Sequence, residues 1–184
     1  MAVMTTSGTI PRGPFTVADV ESFPDDGNRY EIIDGLLVVS PSPVPRHQIV
    51  VVHLLAALAT MARDGVRVFP APLDVELAAD TVVEPDVLVV RPEHLTEKRV
   101  VGPPLLAVEV LSPSTRQHDL LLKRERYQRA GVPHYWVVDP DAPRLLAWQL
   151  RDGEYALVAD VTGSEGWTAP APFGVTLVPS ELVR

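Results

Sequence analysis

Leu105-Leu106-Ala107-Val108-Glu109-Val110-Leu111 is an apolar run broken by one acid. So continuous a run reads as a strand buried on both faces, in the middle of a sheet. A carboxylate there needs a cation, an arginine or a raised pKa. Upstream, Glu84-Pro85-Asp86 leads into a second apolar run, Val87–Val90, where Asp86 poses the same problem at a strand's head. Two such acids on strands that can be neighbours point to one shared cation. Donors that are all oxygen suit a hard ion, and Mg²⁺ is typically held by one or two carboxylates while keeping several waters. Asp86 and Glu109 are the expected metal ligands, for Mg²⁺ with Mn²⁺ as a substitute. The plainer alternative is two unrelated strand-end acids, each touching water.

Downstream, Ser114 can cap a helix running to Ala130, with Gly131 as its terminator and Pro133 barring continuation. Arg116, Asp119, Lys123 and Tyr127 recur at spacings of three and four, on one face of it. The link from Glu109 is short, so Lys123 could orient an attacking water and offset transition-state charge. Spacing alone reads Asp119–Lys123 as an ordinary surface pair, worth about 0.3–0.5 kcal/mol. His134–Val138 is the next strand, and Leu145–Leu150 and Tyr155–Val158 form a hairpin around Asp152-Gly153. One or two edge strands are expected near Val175–Val178.

Before the acids, Tyr30–Ile33 and Leu36–Val39 flank Asp34-Gly35, a two-residue hairpin turn whose positions favour positive φ. Glu31 on the first of these strands, two residues after Arg29, could be a third acidic ligand or a plain salt-bridge partner. A helix from Arg46 to Arg63 follows a proline-rich turn and ends before Gly65. His47 at its start could contact a phosphate or carry a proton, although helix-start histidines are usually solvated. Strands are expected at Val66–Phe69, Leu73–Ala78 and Pro85–Val90. Thr16 with Asp19 offers a cap for a short helix through Phe23. The reading is an α/β chain with a mixed β-sheet flanked by helices: a loose tail over 1–14, then one domain over 15–184.

Bulk properties exclude several classes. The 184 residues contain no cysteine, so disulfides and thiolate metal sites are ruled out, in keeping with a reducing cytoplasm. Met1 to Pro14 lacks a signal-peptide pattern, and the longest apolar run, Ile49 to Ala59, is too short to span a bilayer. A net charge of −8 argues against a general nucleic-acid coat protein. Between Arg116 and Arg129, however, five basic residues face two acids, a local +3 that could meet a phosphate backbone or form a solvated face. No phosphate-binding glycine loop, serine elbow or dinucleotide fingerprint is present.

Read together, Tyr30-Glu31-Ile32-Ile33-Asp34-Gly35, Ser40-Pro41-Ser42-Pro43 with Arg46-His47, Val83-Glu84-Pro85-Asp86-Val87, Val108-Glu109-Val110-Leu111-Ser112-Pro113-Ser114-Thr115 and Gly131-Val132-Pro133-His134-Tyr135-Trp136-Val137-Val138-Asp139-Pro140 resemble the Uma-two family. These are small bacterial, restriction-endonuclease-like proteins of the PD-(D/E)XK nuclease superfamily. The resemblance runs from about Phe15 to the C-terminus and implies a restriction-endonuclease-like core with a Mg²⁺ site for DNA hydrolysis. By position, Pro85-Asp86 is the PD element, Glu109 the second acid and Glu31 the acid ahead of the core. Leu111 stands where the superfamily motif has lysine, and Lys123 on the next helix is the candidate replacement.

The expected catalytic set is therefore Asp86, Glu109, Lys123 and Glu31, with His47 and Arg116 contacting substrate. The competing readings are a nuclease fold that has lost cleavage and serves as a binding or assembly module, and a hydrolase of smaller phosphate esters. A homodimer is plausible, since cutting both strands usually takes two sites.

Overall fold

The computed structural model describes residues 13–61, 65–113, 116–170 and 173–184. The expected tail lies outside the described residues as far as Arg12, as do the last residues of the first long helix and the Ser114 cap.

Parity along two neighbouring strands divides the interior. Strand β6 (Val87–Val90) pairs antiparallel with β8 (Leu106–Val110), and all nine residues are buried. Leu106, Val108 and Val110 join Val87 and Val89 against Val50, Leu54 and Leu58 of helix α1 (Pro45–Met61). Ala107 and Leu111 join Leu88 and Val90 on the opposite face, against Tyr127 and Tyr135. Alternation along a strand makes this division unavoidable. It puts Glu109 on the second face, away from α1. Val87 faces Val108 and Leu88 faces Ala107, so Asp86, the residue before β6, lies beside the end of β8 that carries Glu109, where its Oδ2 takes the Val110 amide.

These strands sit inside a mixed six-stranded sheet ordered β11-β10-β9-β8-β6-β3. Its other members are β3 (Arg67–Pro70), β9 (His134–Asp139), β10 (Arg144–Arg151) and β11 (Glu154–Thr162). Only β8 and β9 run parallel, and the helical segment between them is the crossover such a pair demands. A five-stranded sheet lies alongside, ordered β2-β1-β5-β4-β7. It contains β1 (Arg29–Ile33), β2 (Leu36–Ser40), β4 (Val75–Ala78), β5 (Thr81–Val83) and β7 (Val100–Val101). The three residues between β5 and β6, Glu84 to Asp86, carry the chain from one sheet to the other. That transit brings Glu31 of β1 to the acids of the larger sheet.

The expected elements are present in order, with differences at β5, β7 and the C-terminal segment. β5 and β7 were not anticipated: two or three residues are too few to show a period. The C-terminal strand is β13 (Thr176–Leu177), which pairs with β12 (Trp167–Thr168) in a ladder of its own instead of extending an existing edge. Helix α3 (Pro179–Leu182) follows it. Among the described residues no helix is long and apolar enough to cross a membrane.

Asp34 and Gly35 turn the β1–β2 hairpin with φ of 50° and 76°. A Cβ on Gly35 would also come within 3.2 Å of Pro14. Gly35→Ala should therefore cost about 1–2 kcal/mol, the penalty of a left-handed conformation for an L-residue, read as a lower urea midpoint at unchanged m.

Candidate functional site

Glu31, His47, Asp86, Glu109 and Lys123 line one cavity of about 190 Å³, together with Arg29 and Asp119. Asp86 and Glu109 are 2% and 1% exposed, so neither is a strand-end acid in water. Asp86 is supplied on every side. Its Oδ1 accepts from Nη1 and Nη2 of Arg29, both at 3.0 Å. Its Oδ2 accepts from the Val110 amide at 2.8 Å and pairs with His47 Nε2 at 3.0 Å. Burial works against its charge, but the His47 hydrogen bond and Arg29 outweigh it and hold the carboxyl below its ordinary pKa.

Glu109 meets the opposite balance. Burial is the largest influence; Lys123 relieves it in part, while Asp119, Asp86 and Glu31 add repulsion, so the pKa lies well above the ordinary value. Its Oε1 accepts from Lys123 Nζ at 3.2 Å and from the Tyr127 hydroxyl at 2.9 Å. Lys123 Nζ also lies 2.8 Å from Glu31 and 3.6 Å from Asp119. Burial alone would discharge this lysine, but Glu109, Glu31 and Asp119 raise its pKa and keep it protonated. Glu31 Oε1 accepts a further bond from the Glu84 amide at 2.8 Å, in the link between the sheets.

The helix that delivers Lys123 is not uniform. His118–Lys123 is a π-helix that passes into α2 (Arg124–Arg129). In an α-helix a four-residue step overshoots one turn by about 40°. In the wider π turn it falls short of one. One step of each kind, from Asp119 to Lys123 and from Lys123 to Tyr127, nearly cancels the drift. All three side chains are buried beside Glu109. The surface-pair reading of Asp119–Lys123 fails here, since both are 2% exposed. His47, 6% exposed, is not a solvated helix-start residue either.

Arg116 is not among the cavity residues. It is half exposed, and its Nη1 pairs with Asp139 Oδ2 at 2.7 Å. The rest of the basic stretch is likewise engaged within the molecule. Arg126 and Arg129 pair with Asp34, and Arg124 stands 5.5 Å from the Trp148 ring centre. It therefore forms no open basic stripe. Two residues at the site carry roles that sequence reasoning missed, Arg29 and Tyr127. The available signals were positional: Arg29 is two residues from Glu31 on the same strand face, and Tyr127 is one turn beyond Lys123.

With all four carboxylates ionised and Arg29 and Lys123 charged, the cavity residues carry an excess of two negative charges. A divalent cation would cancel that excess, and the donors are hard oxygens, so the residues fit Mg²⁺. Among the described residues no three histidine or acidic side chains already converge as a metal-binding group. Asp86 and Glu109 would thus hold the ion with water completing its shell, the usual habit of Mg²⁺.

Glu84 borders the site, with Oε2 3.7 Å from Arg29 Nε. Burial lifts its pKa from 4.5 to about 7 despite that arginine. Below pH 4.5 it is protonated folded or unfolded. Between 4.5 and about 7 the unfolded chain releases the proton first, so stability falls as pH rises, by on the order of 3 kcal/mol. Glu84→Gln should flatten this decline, matching wild type at pH 4.5 and exceeding it at pH 8 in urea denaturation; equal slopes would refute the assignment.

A family model named Uma2, described as "Putative restriction endonuclease", matches residues 17–180. No curated protein matches the chain. Among solved structures, the crystal structure of a "putative nuclease belonging to DUF820" from Anabaena variabilis ATCC 29413 superposes with a TM-score of 0.73 at 18% identity. The match covers 92% of this chain and 98% of that one, a likeness of fold.

Proposed function

The chain belongs to the Uma2 family of restriction-endonuclease-like proteins, and from that premise we propose that it is a Mg²⁺-dependent endonuclease hydrolysing DNA. The observation that carries the reading is the meeting of Asp86, Glu109, Glu31 and Lys123 around one small cavity. Asp86 and Glu109 would hold the divalent ion, which when bound would supply Lewis-acid polarisation of a phosphate oxygen and a more acidic water. Lys123, held charged by its three acids, orients the attacking water and offsets negative charge growing on the phosphate. Glu31 and the Tyr127 hydroxyl fix the ends of that arrangement, Glu31 on the lysine and Tyr127 on Glu109. His47 steadies Asp86 through Oδ2, and in this reading it also contacts the substrate phosphate.

The test is incubation of purified protein with supercoiled plasmid, single-stranded DNA, RNA and mononucleotide esters, in Mg²⁺ or in chelator. Nicked or linear plasmid in Mg²⁺ alone is expected, and linear product rising with protein concentration would indicate a homodimer. Hydrolysis confined to mononucleotide esters would reassign the substrate.

A second reading has its own support. The four donors around Asp86 satisfy that acid without an ion, as a binding or assembly module that has lost cleavage would require. Calorimetric titration with Mg²⁺ separates the two: no binding at millimolar ion, with no cleavage of any nucleic acid, would establish the inert module.

A further inference from the structure

A carboxylate offers about four lone-pair sites. In Asp86 all four are taken: two by Arg29, one by His47 and one by the Val110 amide. If this acid is to ligate a cation, one partner must leave. The Val110 amide belongs to β8 and cannot move without breaking the central sheet. The His47 side chain is only 8% exposed and sits on the first turn of α1. The Arg29 side chain is 20% exposed, stands at the start of β1 and lines the cavity. Two other acceptors already lie within its reach, the Glu84 carbonyl at 3.2 Å and the Glu84 carboxylate at 3.7 Å. Arg29 is thus the one partner free to withdraw.

Building on the metal-dependent reading, we propose that Arg29 is a resident counterion that yields Asp86 Oδ1 to the divalent ion and, once displaced, clamps the substrate phosphate.

Lys123 cannot serve as that clamp. Its side chain is 3% exposed, and its ammonium is committed to Glu31, Glu109 and Asp119. Arg29 is the other positive charge of the cavity, and a guanidinium grips a phosphate through two parallel N–H bonds as readily as a carboxylate. Exchange of one cation for another at Asp86 also avoids stranding a buried negative charge at any stage. Phosphate binding would then depend on prior metal binding, because only the metal releases the arginine.

The test uses the full chain and two ligands, Mg²⁺ alone and then dimethyl phosphate with and without Mg²⁺, each followed by calorimetry. Wild type should bind dimethyl phosphate at least about fivefold more tightly once Mg²⁺ is present, within the usual range for coupled sites. Arg29→Gln should bind Mg²⁺ at least about fivefold more tightly than wild type and lose that coupling. A variant that binds Mg²⁺ as weakly as wild type, or more weakly, would show that Arg29 orients Asp86 instead of competing for it. Should Arg29→Gln fail to fold, the wild type decides by arginine-labelled NMR, with Arg29→Lys identifying the resonance. The Arg29 side-chain signal must shift on saturation with Mg²⁺, and a static signal overturns the exchange. Absence of Mg²⁺ binding in wild type would remove the metal reading itself, a failure distinct from Mg²⁺ binding without exchange.

Discussion

Asp86→Asn and Glu109→Gln should each lower Mg²⁺-dependent plasmid cleavage by about a hundredfold to a thousandfold or more, the scale of losing one preorganised electrostatic contact. The two variants should nevertheless diverge in stability, and the divergence makes the test informative. Asp86 is ionised and ties together Arg29, His47 and the Val110 amide. Its neutralisation leaves the part-buried Arg29 guanidinium with only the Glu84 carboxylate, at 3.7 Å, as charge partner, and breaking a buried pair from one side costs up to about 3–5 kcal/mol. Burial first, and then the crowding of Asp119, Asp86 and Glu31, disfavours a negative charge on Glu109. The uncharged amide introduced by Glu109→Gln would relieve that repulsion while Lys123 keeps Glu31 and Asp119, so stability at neutral pH should hold or rise. A variant at least as stable as wild type yet inactive cannot owe its inactivity to unfolding. Cleavage at the wild-type rate by Glu109→Gln, measured beside its urea curve, would reject the two-acid site.

Legibility of this architecture from sequence followed the strength of each local constraint. The Asp34-Gly35 and Asp152-Gly153 turns were readable because positive φ at both positions is rare outside such hairpins, and the backbone shows it at all four residues. Asp86 and Glu109 were readable because a lone acid in an apolar strand contradicts its surroundings. Strands β5 and β7 carry no such contradiction and no period. Lys123 shows where sequence reasoning stops. An Asp–Lys pair four apart looks the same on a solvated face and in a core, and what separates them is the neighbourhood of Glu109 and Tyr127, which arises only on folding. The π segment is likewise invisible in composition, although it is what lines up three side chains four apart. Arg116 went the other way: its spacing set it with Lys123, but it is not among the cavity residues and its guanidinium pairs with Asp139 instead.

Lys123→Met should produce the largest loss of stability of any single change at this site, and the loss should depend on pH. The lysine is buried and faces Glu31 at 2.8 Å, Glu109 at 3.2 Å and Asp119 at 3.6 Å. Methionine approximates its shape but leaves three acids without their shared cation. Uncompensated buried charge costs about 3–5 kcal/mol, enough to unfold a marginal domain at neutral pH. The remaining acids would then hold raised pKa values in the folded state. Groups raised in this way stabilise the fold below their unfolded pKa, near 4.3 for glutamate, and that contribution disappears as pH climbs through the folded values. Wild type shares this dependence at Glu109, but to a smaller degree, because Lys123 stays protonated throughout the range and offsets part of it. The gap between the two proteins should therefore be small near pH 5 and widest near pH 8, in urea denaturation at both. A gap independent of pH would mean that methionine fails for reasons of packing, and that the lysine's charge is not what the three acids require. If the gap does open with pH, millimolar Mg²⁺ should narrow it again at pH 8, because a divalent ion held by Glu109 restores the positive charge that the substitution removed.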